Sequence, residues 1–90
     1  RKEPLESYPL ESLNMVGTLQ KEKQVFALVR TPEKDLYQVK PGNHLGQNFG
    51  TIVSVSESEI TLKELIQDSG GDWTERSSTL QLIEPKQERK

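Results

Sequence analysis

Short runs of apolar residues, separated by polar turns, make up the middle of this chain. Residues 24–31 contain five consecutive apolar positions, whereas residues 51–56 alternate apolar and polar side chains. A short continuous run is typical of a strand buried on both faces, and a period of two is typical of a strand buried on one face. We therefore expect residues 24–31 at the centre of the domain, with Val53 and Val55 facing its core.

The same patterns predict the remaining strands and the irregularities within them. Further candidate strands cover residues 14–20, 36–40, 59–66 and 73–83. Gly17 predicts a bulge, or a close approach of another backbone, in the first of these. Leu65 breaks the alternation of the third, so a bulge or a twist is expected near residues 63–64. Residues 9–13 favour one short helical turn, and no segment has an extended helical period. The sequence thus predicts an all-β fold: a small antiparallel β-sandwich of six to seven short strands, with a short N-terminal helical turn.

The two ends of the chain are more polar than this middle part. Residues 1–12 contain two prolines and only three apolar or aromatic side chains, and we interpret them as a partly disordered linker. Residues 13–84 form the predicted β-sandwich domain, and the charged residues 85–90 form a predicted disordered tail. The sequence starts at Arg1 rather than at a methionine, so we expect a fragment or a processed form.

Composition and charge narrow the chemistry. The 12 basic and 14 acidic residues are spread along the chain without a basic patch, so no nucleic-acid binding is predicted. No apolar run reaches the roughly 18 residues of a membrane span, so direct membrane contact is not expected. The absence of cysteine excludes disulfides, thiolate metal ligands and thiol nucleophiles.

The most unusual segment is residues 39–50, with the sequence VKPGNHLGQNFG, which we call the Gly/Asn loop. It holds three of the six glycines, two asparagines and the only histidine of the chain. Ordered loops of this composition between strands often carry function. The spacing of the glycines differs from the dinucleotide fingerprint, and no helix follows to bind a phosphate. We therefore interpret the glycines as shaping a corner between two sheets or as contacting a partner.

No arrangement of side chains predicts catalysis or a bound metal. His44 is the only histidine, carboxylates do not accompany it at a ligand spacing, and we expect it to bond to nearby backbone. A nucleophile motif of the G-x-S-x-G type is missing. The chain is accordingly predicted not to be an enzyme and to need no cofactor or metal. Trp73 is expected in the core or at its rim, with an interface role as the alternative.

Five segments, in a fixed order and at fixed spacings, resemble the PilP family of type IVa pilus assembly. They are residues 15–19 (MVGTL), 26–31 (FALVRT), 37–42 (YQVKPG), 45–50 (LGQNFG) and 59–62 (EITL). The resemblance extends over about residues 5–83. Each segment alone is a weak marker, whereas the ordered set is specific.

The resemblance implies both a fold and a role. The family domain is a small periplasmic β-sandwich, similar to the homology region of GspC from type II secretion. Family members are inner-membrane lipoproteins anchored by a lipidated N-terminal cysteine. Their disordered N-terminal region binds the PilN/PilO heterodimer, and their β-domain binds the periplasmic N-terminal region of the secretin PilQ. The resemblance therefore implies a module that links these two assemblies for pilus biogenesis and twitching motility, in a sequence that lacks most of the PilN/PilO-binding region.

Two surfaces are candidates for partner binding. The predicted strand 14–20 is short and lies next to the linker, and an unpaired strand edge can add a strand from a partner. The Gly/Asn loop offers the second surface. The residues we expect to bind are Met15, Val16 and Gly17 in the strand, and Leu45, Gln47, Asn48 and Phe49 in the loop. A small-ligand or glycan-binding sandwich that uses the same loop, and a scaffold domain without a site, are the alternatives.

Overall fold

The computed structural model describes residues 3–83, which form two antiparallel β-sheets. The three-stranded sheet has the order β1-β2-β3, with β1 at Asn14–Lys21, β2 at Gln24–Arg30 and β3 at Leu36–Val39. The four-stranded sheet follows chain order, with β4 at His44–Leu45, β5 at Gly50–Val55, β6 at Glu59–Gln67 and β7 at Trp73–Gln81. The predicted antiparallel β-sandwich is confirmed. No helix within residues 3–83 has the length and apolar character needed to cross a membrane.

One hydrophobic core joins the two sheets. Each sheet contributes one apolar face and the N-terminal segment contributes one apolar side chain, because burial removes these groups from water. Fully burying a large aliphatic side chain contributes about 1.5–3 kcal/mol to stability. The buried hydrophobic residues are Leu5, Leu13, Met15, Ala27, Val29, Val39, Leu45, Ile52, Ile60 and Leu62.

β2 lies at the centre of its sheet, as its apolar run predicts, but only one of its faces is fully buried. Ala27 and Val29 are inaccessible to solvent, whereas Phe26 and Leu28 are half-buried. A sandwich has two layers, so the outer face of each sheet keeps contact with water. The prediction of burial on both faces is therefore wrong.

β5 bears out only half of the predicted inward pair, because Val55 packs against the core whereas Val53 does not. A bulge between Ile52 and Ser54 shifts the pairing with β6. As a result, Ile52 is buried and Val53 is 47% exposed. A bulge adds one residue to a strand and changes the direction of the side chains that follow, and the alternation alone does not reveal it.

β6 contains no bulge at residues 63–64, one of the two irregularities expected there. It pairs with β7 without a register shift along its whole length. Regular alternation therefore places Ile60, Leu62 and Glu64 on the inner face and Leu65 on the outer face. The apparent break in the pattern arises because the inner position is occupied by a carboxylate.

β1 has the bulge that Gly17 predicts, between Met15 and Gly17. Met15 is fully buried, and its carbonyl oxygen accepts a hydrogen bond from the backbone N–H of Ile83 at 2.9 Å. A parallel bridge between Met15 and Leu82 accompanies this bond and ties the two sheets together. Beyond the bulge, β1 lies at the edge of its sheet.

Residues 3–12, which we call the N-terminal strap, pack against the domain. They form two 3₁₀ turns, Pro4–Ser7 and Leu10–Ser12, which confirms the predicted short helical turn near the N-terminus. Leu5 is only 2% exposed. The boundary proposed at residue 13 remains a prediction, and the predicted tail, residues 85–90, lies outside the described residues.

Candidate functional site

The Gly/Asn loop contains β4 and carries the chain from β3 in one sheet to β5 in the other, as predicted. Gly42 and Gly46 adopt φ angles of 97° and 82°, a region in which a side chain is disfavoured. The N–H of Gly42 donates to the carbonyl of Ile52, and the N–H of Ile52 donates to the carbonyl of Asn43, both at 2.9 Å. These bonds close the corner and give the loop a defined shape.

The N-terminal strap holds the middle of this loop. The backbone N–H of Gly46 donates to the carbonyl of Leu5 at 3.0 Å. The side-chain amide of Gln47 donates to the carbonyl of Ser7 at 3.1 Å. Because these partners lie about forty residues apart in the sequence, the loop depends on the strap for its conformation.

His44 bonds to a distant carboxylate, so the predicted bond to nearby backbone is wrong. Its Nδ1 lies 2.8 Å from Glu3 Oε2, and its N–H donates to Glu3 Oε1 at 3.0 Å. The bond from the His44 ring is the main cause that lowers the pKa of Glu3 below its ordinary value, against an opposing effect of burial. Glu6 accepts a bond from the Glu3 N–H in a capping box.

Glu3, Glu6 and His44 therefore offer side-chain ligand atoms within 4.8 Å of one another. The spacing along the sequence gives no sign of this cluster, because the strap and the loop meet only in the folded chain. Each carboxylate already accepts a hydrogen bond that fixes the start of the strap. The cluster is thus accounted for as the anchor between strap and loop.

Phe49, Leu65 and Trp73 form an exposed apolar cluster, which we call the aromatic patch. Their exposed fractions are 56%, 39% and 55%. The rings of Phe49 and Trp73 meet edge to face, with their centroids 5.8 Å apart, a favourable arrangement for two aromatic side chains. Trp73 therefore lies at the surface, so its expected place in the core or at its rim is wrong and the interface role stays a prediction.

The geometry of two elements brings the patch together. Leu65 points to the outer face of β6 and pairs with Glu75 of β7. Trp73, two residues before Glu75, therefore lies diagonally beside Leu65 on the same face. Phe49 arrives from the loop with a φ of 57°, and the carbonyl of Asn48 accepts a 2.9 Å bond from the N–H of Leu65. The loop is thus fastened to the strand that carries the patch.

A buried carboxylate lies on the inner face of the sheet at the same place. Glu64 Oε1 accepts bonds from Arg76 Nη2 at 2.9 Å and from Ser78 Oγ at 2.7 Å, and Asn48 Nδ2 lies 3.5 Å from its Oε2. Burial alone would raise the pKa of Glu64, but the bonds from Ser78 and Arg76 outweigh it and hold the pKa below its ordinary value. Glu64 is therefore charged at neutral pH.

The seven residues expected to bind a partner do not share one exposed surface. Met15 and Leu45 have no exposed area and belong to the core, so the expectation that their side chains are available is wrong. An apolar residue in an ordered loop or strand is as readily a core contact as a partner contact. The remaining five are half-buried or exposed, and partner binding stays a prediction for them: Val16, Gly17, Gln47, Asn48 and Phe49.

Sequence reasoning missed two residues of the patch, Leu65 and Trp73, as contacts of Phe49. The out-of-phase position of Leu65 was the available sign. In a strand without a bulge, that phase places a large apolar side chain on the solvent face. Together with Trp73 on the next strand, it would have indicated an outward apolar pair.

Comparison with known proteins gives a consistent family. A family model described as "Pilus assembly protein, PilP" matches residues 1–82. The type IV pilus inner membrane component PilP of Pseudomonas aeruginosa is 39% identical over 83 residues, which are 92% of this chain and 47% of that protein. The chain thus spans about half the length of the curated relative that it matches.

Solved structures of the same family share the fold. A domain from the type IV pilus biogenesis lipoprotein PilP of P. aeruginosa superposes with a TM-score of 0.81 at 38% identity, covering 91% of this chain and 93% of that chain. A domain from the Neisseria meningitidis PilP pilot protein gives a TM-score of 0.78 at 37% identity, covering 100% of this chain and 79% of that chain. The chain therefore belongs to the PilP family of pilus assembly proteins.

Proposed function

We propose that this domain is a protein–protein interaction module that binds the periplasmic N-terminal region of the secretin PilQ through the aromatic patch. The observation that carries the proposal is the exposure of Phe49, Leu65 and Trp73 side by side on a small domain. Contiguous apolar surface on a soluble domain is a recurrent feature of interaction sites. Trp is also among the residues that contribute most to binding at interfaces.

Family membership supports the wider role. We propose that the protein is held at the inner membrane by a lipid anchor N-terminal to this domain, with the domain in the periplasm. The region that precedes the domain would bind the PilN/PilO heterodimer. The domain would then link that heterodimer to the secretin in type IV pilus biogenesis and twitching motility. It would act by binding other proteins, without catalysis and without a cofactor.

The surroundings of the patch suit a protein partner. Gln47 and Asn48 are exposed beside Phe49, and Lys63 and Glu75 form an exposed ion pair at 3.7 Å beside Leu65. An apolar centre with a polar rim is the usual anatomy of a protein–protein interface. The edge of β1 offers a second contact of a different kind, through backbone hydrogen bonds.

The composition of the patch also bears on the alternative, a small-ligand or glycan-binding role. The shallow depression at the patch is lined by Phe49, Leu65 and Trp73 alone. Small-ligand sites add a few polar groups that fix the orientation of the ligand. The apolar lining therefore favours a protein partner over a glycan.

The proposal is tested by binding of the labelled domain to the PilQ N-terminal region, followed by chemical-shift mapping. Trp73→Ala is expected to weaken the affinity by about tenfold or more, because it removes the largest side chain of the patch. Leu36→Ala is the matched control, since Leu36 is 56% exposed but lies on β3 in the other sheet. Wild-type affinity of Trp73→Ala, or equal losses in both variants, would contradict the proposal.

Ligand titrations and substitutions in the patch distinguish the two alternative functions. A glycan-binding role predicts that oligosaccharides change the fluorescence of Trp73 in titrations, while PilQ leaves the spectrum of the patch unchanged. A scaffold domain without a site predicts that substitutions in the patch change only the free energy of unfolding.

A further inference from the structure

Glu64 occupies a position that the fold would fill with an apolar residue. It follows Ile60 and Leu62 on the inner face of β6, and its side chain is 1% exposed. Placing a carboxylate there is unfavourable unless other groups compensate its charge. The compensating groups come from two different elements of the fold, and their positions indicate the role of the carboxylate.

The two oxygens of Glu64 face two different elements. Oε1 accepts the bonds from Arg76 and Ser78, both on β7. Oε2 faces the side-chain amide of Asn48 in the Gly/Asn loop at 3.5 Å. The carboxylate thus bridges the sheet and the loop from beneath.

The loop backbone lies directly on this side chain. A Cβ atom added to Gly50 would lie 3.6 Å from Glu64 Cγ, and one added to Gly46 would lie 3.9 Å from Glu64 Oε2. The residue after Glu64 completes the attachment, because the N–H of Leu65 donates to the carbonyl of Asn48 at 2.9 Å. Consecutive residues of β6 therefore hold both the side chain and the main chain of Asn48.

Asn48 precedes the most strained residue of the patch. Phe49 has a φ of 57°, in the left-handed region, which is unfavourable for a residue with a side chain. Such a conformation persists only where the surroundings hold it. Asn48 is fixed on one side of Phe49, and Gly50 is buried on the other.

We propose that Glu64 is a positioning residue for the aromatic patch: through Asn48 it holds Phe49 edge-on to Trp73, in the arrangement that the secretin binds. The proposal rests on the proposed function for its partner. The assembly of the patch, however, can be observed on the isolated domain.

Glu64→Leu is the main test. Removing one partner of a buried ion pair is destabilising when it leaves the other charge buried, but Arg76 is half exposed and can return to water once the carboxylate is gone. The variant is therefore expected to fold with a melting temperature near that of the wild type. Nuclear Overhauser contacts between the Phe49 and Trp73 rings are expected to be lost, and the affinity for the PilQ N-terminal region is expected to fall about fivefold or more.

Asn48→Ala keeps the proposal testable if Glu64→Leu fails to fold. Asn48 is exposed in the loop, so its truncation leaves the core intact while it removes the amide that faces Glu64. The same loss of ring contacts is expected. Ser78→Ala is the matched control, because it removes a bond to Oε1 and leaves the contact of Oε2 with Asn48. The control is expected to keep both the ring contacts and the affinity.

The outcomes distinguish this proposal from the proposed function. Intact ring contacts in both Glu64→Leu and Asn48→Ala would overturn the positioning role. Lost ring contacts with unchanged PilQ affinity, in these variants and in Phe49→Ala, would overturn the proposed function and leave the positioning role standing.

Discussion

The edge of β1 and the Gly/Asn loop are both candidate binding surfaces, yet the fold builds them differently. β1 offers backbone hydrogen-bonding groups, because beyond its bulge β2 is its only neighbour in its sheet among residues 3–83. The loop offers side chains, because its backbone is already bonded to the strap through Gly46 and to β6 through Asn48. Phe49 is left outside with Trp73 as its neighbour.

This difference indicates what each surface can contribute to binding. A strand edge accepts any extended segment, so its affinity comes from main-chain bonds and carries little selectivity. A fixed pair of aromatic side chains presents one shape and can act as the energetic centre of an interface. The loop therefore suits recognition of a particular partner. The edge of β1 suits additional, less selective backbone pairing with that partner.

The largest difference between the two regions is expected for glycine-to-alanine substitutions. A Cβ at Gly50 would lie 2.5 Å from the carbonyl oxygen of Leu45 and 2.7 Å from a methyl group of Leu62. A Cβ at Gly17 would meet only Leu28, at an ordinary 3.6 Å. Gly50→Ala is expected to lower the free energy of unfolding by about 3 kcal/mol, through overpacking of a buried site.

Denaturant unfolding of both variants measures this contrast. Gly17→Ala is expected to stay within about 0.5 kcal/mol of the wild type, as substitutions without a clash usually do. Equal losses in the two variants would show that the loop is no more tightly packed than the strand edge.

A smaller loss of stability is expected when the pH is lowered, and it is again expected in the region of the loop. The folded chain lowers the pKa of Glu3 through the bond from His44, and that of Glu64 through Ser78 and Arg76 against the effect of burial. These carboxyls bind protons more weakly when folded, so their stabilisation is complete above the ordinary value of 4.5. It is lost as the pH falls below that value towards the folded pKa.

Amide hydrogen exchange as a function of pH locates this loss. Protection of the Gly46 and Leu65 amides, which bond to the strap and to the loop, is expected to fall at a higher pH than that of the β1–β2 ladder. Glu64→Gln, which cannot ionise, should flatten the response at Leu65 and leave the β1–β2 ladder unchanged. Loss of protection at one common pH in all strands would contradict the regional difference.

Much of the fold could be predicted because the pattern that marks a strand lies within the strand's own residues. The apolar run of β2 and the bulge at Gly17 depend on residues adjacent in the sequence, and both were found where the pattern placed them. Val53 was misplaced because a bulge in its own strand changes the phase without changing the composition.

The site was less predictable because its parts come from distant segments. Glu64 interrupts an apolar face, and only the fold shows that Arg76 and Asn48 compensate its charge. In the same way, nothing near His44 in the sequence points to Glu3. Pairings over such separations leave no periodic pattern, whereas the family resemblance identified the fold without identifying the patch.

The smallest expected effect is the difference in stability between a glycine and an alanine substitution. Its sign is expected to differ between the loop and β1. Phe49→Gly and Phe49→Ala both remove the ring and should weaken the proposed binding to PilQ equally. At a φ of 57°, glycine relieves the backbone strain that alanine retains, so Phe49→Gly is expected to be more stable than Phe49→Ala by about 1 kcal/mol.

In β1, the order is expected to reverse. Leu19 is 39% exposed and has regular strand pairing with Phe26, so Leu19→Gly should be less stable than Leu19→Ala by about 0.5–1 kcal/mol. Urea titration of the four variants measures both differences. A strained, exposed aromatic residue lowers stability, and such a residue is expected where binding rather than folding determines the side chain. If glycine destabilised both positions, Phe49 would carry no such strain, and the patch would need no support from Glu64.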